Sequence, residues 1–160
     1  MTDNLSSAER SRVMSRVKSA DTMPEMAIRR LIYRLGYRYR LHAAGLPGRP
    51  DIVFRNKKKV IFVHGCFWHR HRCRNGRRLP KSHRRFWRRK LEKNAVRDKQ
   101  SLVALRRMGY TSLIIWECQV QRICGNEGCH ELRKFLRTPS RCPKRRKPAS
   151  STGQNAIIKC

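Results

Sequence analysis

Apolar residues fall at helical spacing in three parts of the chain. The segment DTMPEMAIRRLIYRLG has an apolar stripe, with Pro24 suited to a first helical turn and Gly36 suited to a helix end. A longer helix is predicted from about 86 to 108, closed by Gly109. A last helix is predicted from about 127 to 136.

Four further segments have the pattern of strands. YRYRL alternates, PGRPDIVF leads into a second strand, VIFVHG is apolar enough to lie inside a sheet, and YTSLIIWEC makes a fourth. The polar turn RNKKK joins the second and third of these segments. This arrangement predicts a hairpin with Asp51 near one end, within an α/β domain.

Two acidic residues fall on or beside the predicted apolar faces. Asp98 lies between Ala95 and Leu102 at helical spacing, and Glu25 falls at the edge of the first stripe. A carboxylate on a buried face needs a partner, because an unpaired buried charge is costly. For Glu25, a first-turn position favoured by the helix dipole explains the pattern equally well.

The net charge points to a polyanionic partner. The 160 residues include 40 Lys and Arg against 10 Asp and Glu, a formal charge of +30. Such an excess repels itself and favours nucleic acid. The basic residues are spread over the chain, which argues against a membrane-surface helix. With no apolar run of spanning length and no secretory signal, we expect an intracellular protein whose cysteines are reduced or bind metal.

The two ends of the chain differ from the middle in composition. Residues 6–18 are polar and basic, with too little apolar surface to fold alone, and residues 138–160 contain no acid and little to bury. We therefore expect three regions. They are an N-terminal DNA-contacting arm or helix (1–20), one folded domain (21–137) and a basic disordered tail (138–160).

The segment HGCFWHRHRC concentrates metal-ligand side chains. Cys66, His71 and Cys73 form a C-x4-H-x-C set that suits tetrahedral zinc. A fourth ligand must come from elsewhere in the chain, and four protein ligands would make the zinc structural rather than catalytic. The candidates for that fourth ligand are Cys118, Cys124, Cys129 and His130.

His64 and His69 are not among these candidate zinc ligands. Alternate residues of an extended loop point in different directions, so His69 can face a reaction site while its neighbours face the metal. A carboxylate such as Asp51 can hold a hard cation at a phosphate, a histidine can take a proton from water, and a buried Asp98 can orient that histidine. Ordinary structural ion pairs use the same residue types.

Three aromatic residues lie close to this segment. Phe67 and Trp68 stand inside a short loop, and Trp87 follows Phe86 among basic residues. Packing into a small satellite core is one interpretation. The other is insertion between DNA bases, where unstacking costs less at a mismatch.

The segments LPGRPDIVF…VIFVHGCFWHRHRC, FWRRKLEKNAVRDKQ and LIIWEC, in this order and spacing, resemble the very-short-patch repair (Vsr) mismatch endonucleases of bacteria. The resemblance runs from about residue 11 to residue 118. It implies a restriction-endonuclease-like three-layer fold, in which helices flank a central mixed β-sheet with one structural zinc. It also implies a magnesium-dependent enzyme that nicks one strand 5′ to the T of a T:G mismatch, the product of 5-methylcytosine deamination.

The resemblance further implies a role for each matching residue. Asp51 would bind magnesium together with the main-chain carbonyl of Val63, at a position where the family often has Thr. His69 would be the catalytic histidine, supported by Asp98. His64 and Glu25 would lie near the scissile phosphate. The implied zinc ligands are Cys66, His71, Cys73 and Cys118. The residues that would insert between DNA bases are Met14, Phe67, Trp68 and Trp87. Cys124, Cys129, Cys142 and Cys160 match nothing in the family pattern.

Two other functions stay open on the sequence alone. A non-catalytic, zinc-stapled DNA-binding protein would explain the charge, the metal loop and the aromatic residues, but it leaves four residues without a role: Glu25, Asp51, His69 and Asp98. The second alternative is another restriction-like or junction nuclease. Such enzymes usually have the lysine of a D/E-x-K motif on the second hairpin strand, where this chain has FVHG and no lysine.

The expected partner is double-stranded DNA with a T:G mismatch. The resemblance also implies a monomer in the bacterial cytoplasm and nucleoid, a functional pairing with a cytosine-5 DNA methyltransferase, and contacts with general mismatch-repair proteins.

Overall fold

The computed structural model describes residues 6, 9, 12, 20–41, 43–125 and 129–139. The predicted arm, including Met14, lies almost wholly outside these residues, and so does nearly all of the predicted tail. Cys142 and Cys160 also lie outside them. The account below therefore concerns the predicted central domain.

Four strands form one mixed sheet in chain order. The first two neighbouring pairs are antiparallel and the last pair is parallel. The hairpin predicted around Asp51 is present, whereas YRYRL contributes only a two-residue edge strand. The strands are β1 (Arg40–Leu41), β2 (Ile52–Phe54), β3 (Lys59–His64) and β4 (Thr111–Trp116).

The three predicted helices are present and begin and end near the predicted residues, and two short helices were not predicted. Gly36 and Gly109 follow the two long helices with φ of 84° and 80°, a conformation that glycine adopts without strain. The helices are α1 (Met23–Arg34), α2 (Arg74–Arg77), α3 (Arg84–Arg107), α4 (Val120–Cys124) and α5 (Cys129–Arg137), with a 3₁₀ turn at Glu117–Gln119 before α4. Within the described part of the chain, no helix has both the length and the apolar character needed to cross a membrane.

Helices cover both faces of the sheet. Alternation along β3 sends Ile61 and Val63 into a core with α1, α4 and α5, and sends Val60 and Phe62 into a second core with α3. Leu105 of α3 is fully buried in that second core. The described residues therefore form a three-layer α/β structure.

Lys59 joins the sheet to the last helix. Its side chain is 2% exposed, and its ammonium donates to the main-chain carbonyls of Phe135 and Thr138 at the end of α5. Burial, together with the charge of Lys57, lowers the pKa of Lys59. The carbonyls at a helix C-terminus have no partner within the helix, so a cation at this point both satisfies them and complements the helix dipole.

Candidate active site and metal centre

Four metal-ligand side chains converge where β3 and β4 end. The ligand atoms of Cys66, His71, Cys73 and Cys118 all lie within 4.8 Å of one another. The Nδ1 atom of His71 is 3.7 Å from the Cys66 sulfur and 3.4 Å from the Cys118 sulfur. The parallel pairing of β3 with β4 brings Cys118 to this loop, because both strands end at the same edge. Of the described candidates for a fourth ligand, only Cys118 belongs to this group.

The segment WEC at the end of β4 holds the loop at three points. The Trp116 ring stacks on His71, with 4.4 Å between centroids and 20° between planes. The Glu117 carboxylate accepts the Cys66 N–H at 3.2 Å, and Cys118 supplies a sulfur. Sequence reasoning singled out Cys118 and missed its two neighbours, although both stand in the quoted segment LIIWEC.

Two of the thiols have opposite pKa shifts. Burial raises the pKa of Cys66 to about 12. The backbone of Gly76, hydrogen-bonded to the Cys73 thiolate, and then the His71 side chain lower the pKa of Cys73 to about 6. A metal binds thiolates, so a cation in this cluster would displace the proton that Cys66 otherwise keeps.

A histidine and a carboxylate form a second group beside this cluster. The Nδ1 atom of His69 is 2.5 Å from the Asp98 carboxylate on α3, and both side chains are 22% exposed. An ionised carboxylate only accepts hydrogen bonds, so beside it Nδ1 would carry a proton and Nε2 would be the nitrogen left to exchange one. The pair is thus oriented to take a proton at Nε2.

His64, the last residue of β3, lies under His69. The two rings are stacked, with 3.8 Å between centroids and 10° between planes. Burial is the main cause that lowers the pKa of His64 to about 4; the charge of His69 lowers it further and Asp98 opposes the shift. His64, His69 and Asp98 have ligand atoms within 4.8 Å of one another. Nearly parallel rings direct their in-plane lone pairs along separate planes, a geometry that does not suit joint coordination of one ion.

Asp51 lies at the start of β2, next to the end of β3. Its Oδ2 atom accepts the main-chain N–H of Val63 at 2.7 Å. The carboxylate is therefore held beside the residue that precedes His64. The side chain is half-buried, which leaves part of it accessible to solvent.

Glu25 is 4% exposed at the start of α1 and has partners there. Its carboxylate accepts the N–H of Asp21 at 2.9 Å and the hydroxyl of Thr22 at 2.8 Å. It also pairs with Arg29, at 3.1 Å and one turn along the helix. These contacts close the first turn of the helix. The role near the scissile phosphate stays a prediction.

The aromatic side chains pack against one another. Phe67 and Trp68 are half-buried, and their centroids lie 5.7 Å and 6.1 Å from that of Trp87, which is 6% exposed. The Lys90 ammonium lies 5.6 Å from the Trp68 centroid and 5.3 Å from that of Trp87. Asn94 donates to the Trp68 carbonyl at 3.3 Å, a contact that sequence reasoning missed. Insertion of these rings between DNA bases stays a prediction.

Comparisons with known proteins agree on one family. A family model described as DNA mismatch endonuclease Vsr matches residues 2–75. The type II nicking enzyme V.XorIIP of Xanthomonas oryzae pv. oryzae is 48% identical over 120 residues, covering 75% of this chain and 88% of that protein. The type II nicking enzyme V.NmeAIP of Neisseria meningitidis serogroup A is 39% identical over 121 residues, covering 76% of this chain and 86% of that protein.

A third relative carries the family name itself. The DNA mismatch endonuclease Vsr of Escherichia coli is 38% identical over 121 residues, covering 76% of this chain and 77% of that protein. The chain belongs to the Vsr family of DNA mismatch endonucleases.

Proposed function

We propose that this protein nicks one strand of a DNA duplex at a T:G mismatch, 5′ to the mismatched T. In doing so it would start the very-short-patch repair of deaminated 5-methylcytosine, on a restriction-endonuclease-like fold. Family membership supports DNA mismatch nicking. The observation that carries the chemistry is the His69–Asp98 pair, with 2.5 Å between Nδ1 and the carboxylate oxygen.

His69 would act as the general base. Water is a weak nucleophile toward a phosphodiester, and a neutral imidazole can remove its proton as it attacks. Asp98 fixes the tautomer and the ring orientation, and it stabilises the imidazolium that results. His64, kept neutral by burial, would hold the plane of the His69 ring by stacking.

A magnesium ion fits the oxygen donors beside this pair. Val63 donates its N–H to Asp51, and the N–H and C=O of one strand residue point to the same side, so the Val63 carbonyl faces Asp51 as well. The β2–β3 register, extended by two residues, places Pro50 opposite Val63, and proline has no N–H to donate to that carbonyl. A carboxylate and a carbonyl oxygen are hard donors of the kind that Mg²⁺ prefers, and the ion would stabilise charge on the phosphate and on the leaving oxygen.

Zinc fits the other cluster. Three thiols and one imidazole are the donor set of closed, four-coordinate structural sites. His69 lies between Cys66 and His71 in the chain, so a metal held by those residues would anchor the loop that carries the base. We assign zinc this supporting role and no step of the reaction.

The substrate would be recognised by charge and by stacking. The formal charge of +30 supplies affinity for any duplex. Three rings would insert at the mismatch, where the base stack is weakest: Phe67, Trp68 and Trp87. Met14 would insert from the minor-groove side. A companion cytosine-5 DNA methyltransferase and general mismatch-repair proteins remain proposed partners of a monomeric, nucleoid-associated enzyme.

The test is a strand-nicking assay with Asp51→Asn. Wild-type protein should nick a T:G duplex in magnesium and leave the matched duplex intact. Asparagine can still accept the Val63 N–H but carries no charge, so nicking should fall at least about 100-fold while DNA binding and melting temperature stay near wild type. Glu92→Gln, which removes an exposed charge from α3, is the matched control and should nick normally.

Two outcomes would contradict this assignment. Undiminished magnesium-dependent nicking by Asp51→Asn would show that Asp51 is not the magnesium ligand. Tight DNA binding by the wild type without nicking of any duplex would instead support the non-catalytic DNA-binding protein.

A further inference from the structure

Phe86 exposes an aromatic ring at the start of α3. The residue is 59% exposed, whereas its neighbour Trp87 is 6% exposed. The two rings meet edge to face, with 5.6 Å between centroids, so Phe86 extends the packed aromatic cluster outward into solvent. A large apolar ring in water costs free energy, and covering it would recover that cost.

Cations surround this ring. Phe86 lines a shallow groove together with Arg85, Arg89, Lys90 and Lys93, and this lining contains no acid. The Lys90 ammonium lies 5.8 Å from the Phe86 centroid. A stacking ring among several positive charges is the combination by which proteins hold nucleotides without reading their sequence, with the base on the ring and the phosphates on the cations.

We propose that Phe86 is a stacking platform for one nucleotide of the bound DNA, with the phosphates of its strand on Arg85, Arg89 and Lys93. The proposal rests on the proposed function, because it assumes that the aromatic cluster faces DNA. Phe86 is the most exposed ring of this cluster, since Phe67 and Trp68 are half-buried and Trp87 is 6% exposed. It would therefore be the ring that an unstacked base contacts most readily.

The contribution of the Phe86 ring to DNA binding can be tested separately from catalysis. Binding of a dye-labelled T:G duplex is measured by fluorescence anisotropy, at one fixed salt concentration and without added magnesium. Phe86→Ala should weaken binding by roughly tenfold, within the range that removal of a base-stacking ring produces. Phe86→Trp should bind at least as well as wild type, and Phe86→Leu should bind almost as poorly as Phe86→Ala, because leucine is apolar but has no π face.

Val96→Ala is the matched control. Val96 is apolar, lies on the same helix and is 55% exposed, so its loss should leave affinity unchanged. The melting temperature of Phe86→Ala should equal that of wild type, and so should the slope of log affinity against log salt, because no charge is removed.

Several results would overturn the proposal. They are Phe86→Ala binding within twofold of Val96→Ala, full affinity in Phe86→Leu, or a lowered melting temperature that accounts for the loss. These outcomes differ from failure of the proposed function, which would show as wild-type protein that binds the T:G duplex but does not nick it. Binding affinity reports on Phe86 in either case.

Discussion

Gly76 offers a direct test of how closely the metal loop is packed. A Cβ atom added there would lie 2.1 Å from the carbonyl oxygen of His71, 2.7 Å from its carbonyl carbon and 2.8 Å from the carbonyl oxygen of Cys66. The first distance is about 1.3 Å short of the 3.4 Å at which ordinary contact begins. All three atoms are main chain, so no side-chain rotation can relieve the clash.

The cost of Gly76→Ala can be worked out from these contacts. Overpacking a well-packed site costs about 1–3 kcal/mol, and a backbone obstacle places this change at the upper end. For a chain of this size, each kcal/mol lowers the melting temperature by roughly 2–4 °C, so we expect a loss of roughly 6–12 °C. Both obstructing carbonyls belong to residues of the metal cluster, so the shift should also displace ligands and lower the metal content.

The assay combines thermal unfolding by circular dichroism with elemental analysis of freshly purified protein. Gly125→Ala is the control, since its nearest atoms, the carbonyl oxygens of Arg122 and Gln121, are 3.5 Å from an added Cβ. The control should melt close to wild type and keep its metal. Melting of Gly76→Ala within about 2 °C of wild type, with full metal content, would contradict a tightly packed metal loop.

Two further changes separate metal binding from recognition. Cys73→Ser should reduce zinc from one ion per chain and lower the melting temperature together, and a zinc-free but active wild-type protein would exclude a structural zinc. Trp68→Ala should cost well under the roughly 3–5 kcal/mol of a fully buried ring, because Trp68 is half-buried, yet it should reduce the ratio of mismatched to matched affinity at fixed salt. A large melting loss with an unchanged ratio would assign Trp68 to packing alone.

The elements predicted with most success are those whose pattern is local. The stripe of α1 and the long run of α3 each end at a glycine with positive φ, and both features can be seen in a short window of sequence. The environment of Lys59 could not be predicted from a local pattern. It was placed in the polar turn RNKKK, but it begins β3 and is buried, because its partners are carbonyls at Phe135 and Thr138, more than seventy positions away.

The metal cluster likewise combines residues that a local pattern identifies with residues that only the tertiary structure brings together. The spacing of Cys66, His71 and Cys73 identified three members of the metal cluster, but only the β3–β4 pairing distinguishes Cys118 from its rivals. No local pattern indicated that Trp116 would lie against His71. These contacts depend on tertiary register, which a single sequence does not display.

That register connects the two centres. His64 pairs with Trp116 at the last position of the parallel β3–β4 ladder, and Cys66 and Cys118 each follow two residues later. A slip of one residue would turn the side chains of one strand to the opposite faces. Trp116 would then lose both its stack on His71 and its edge contact with His64, whose centroid lies 5.4 Å away. A metal bound to Cys66 and Cys118 would fix the two strand ends at this point. It would thereby hold His64 under His69 without touching either ring.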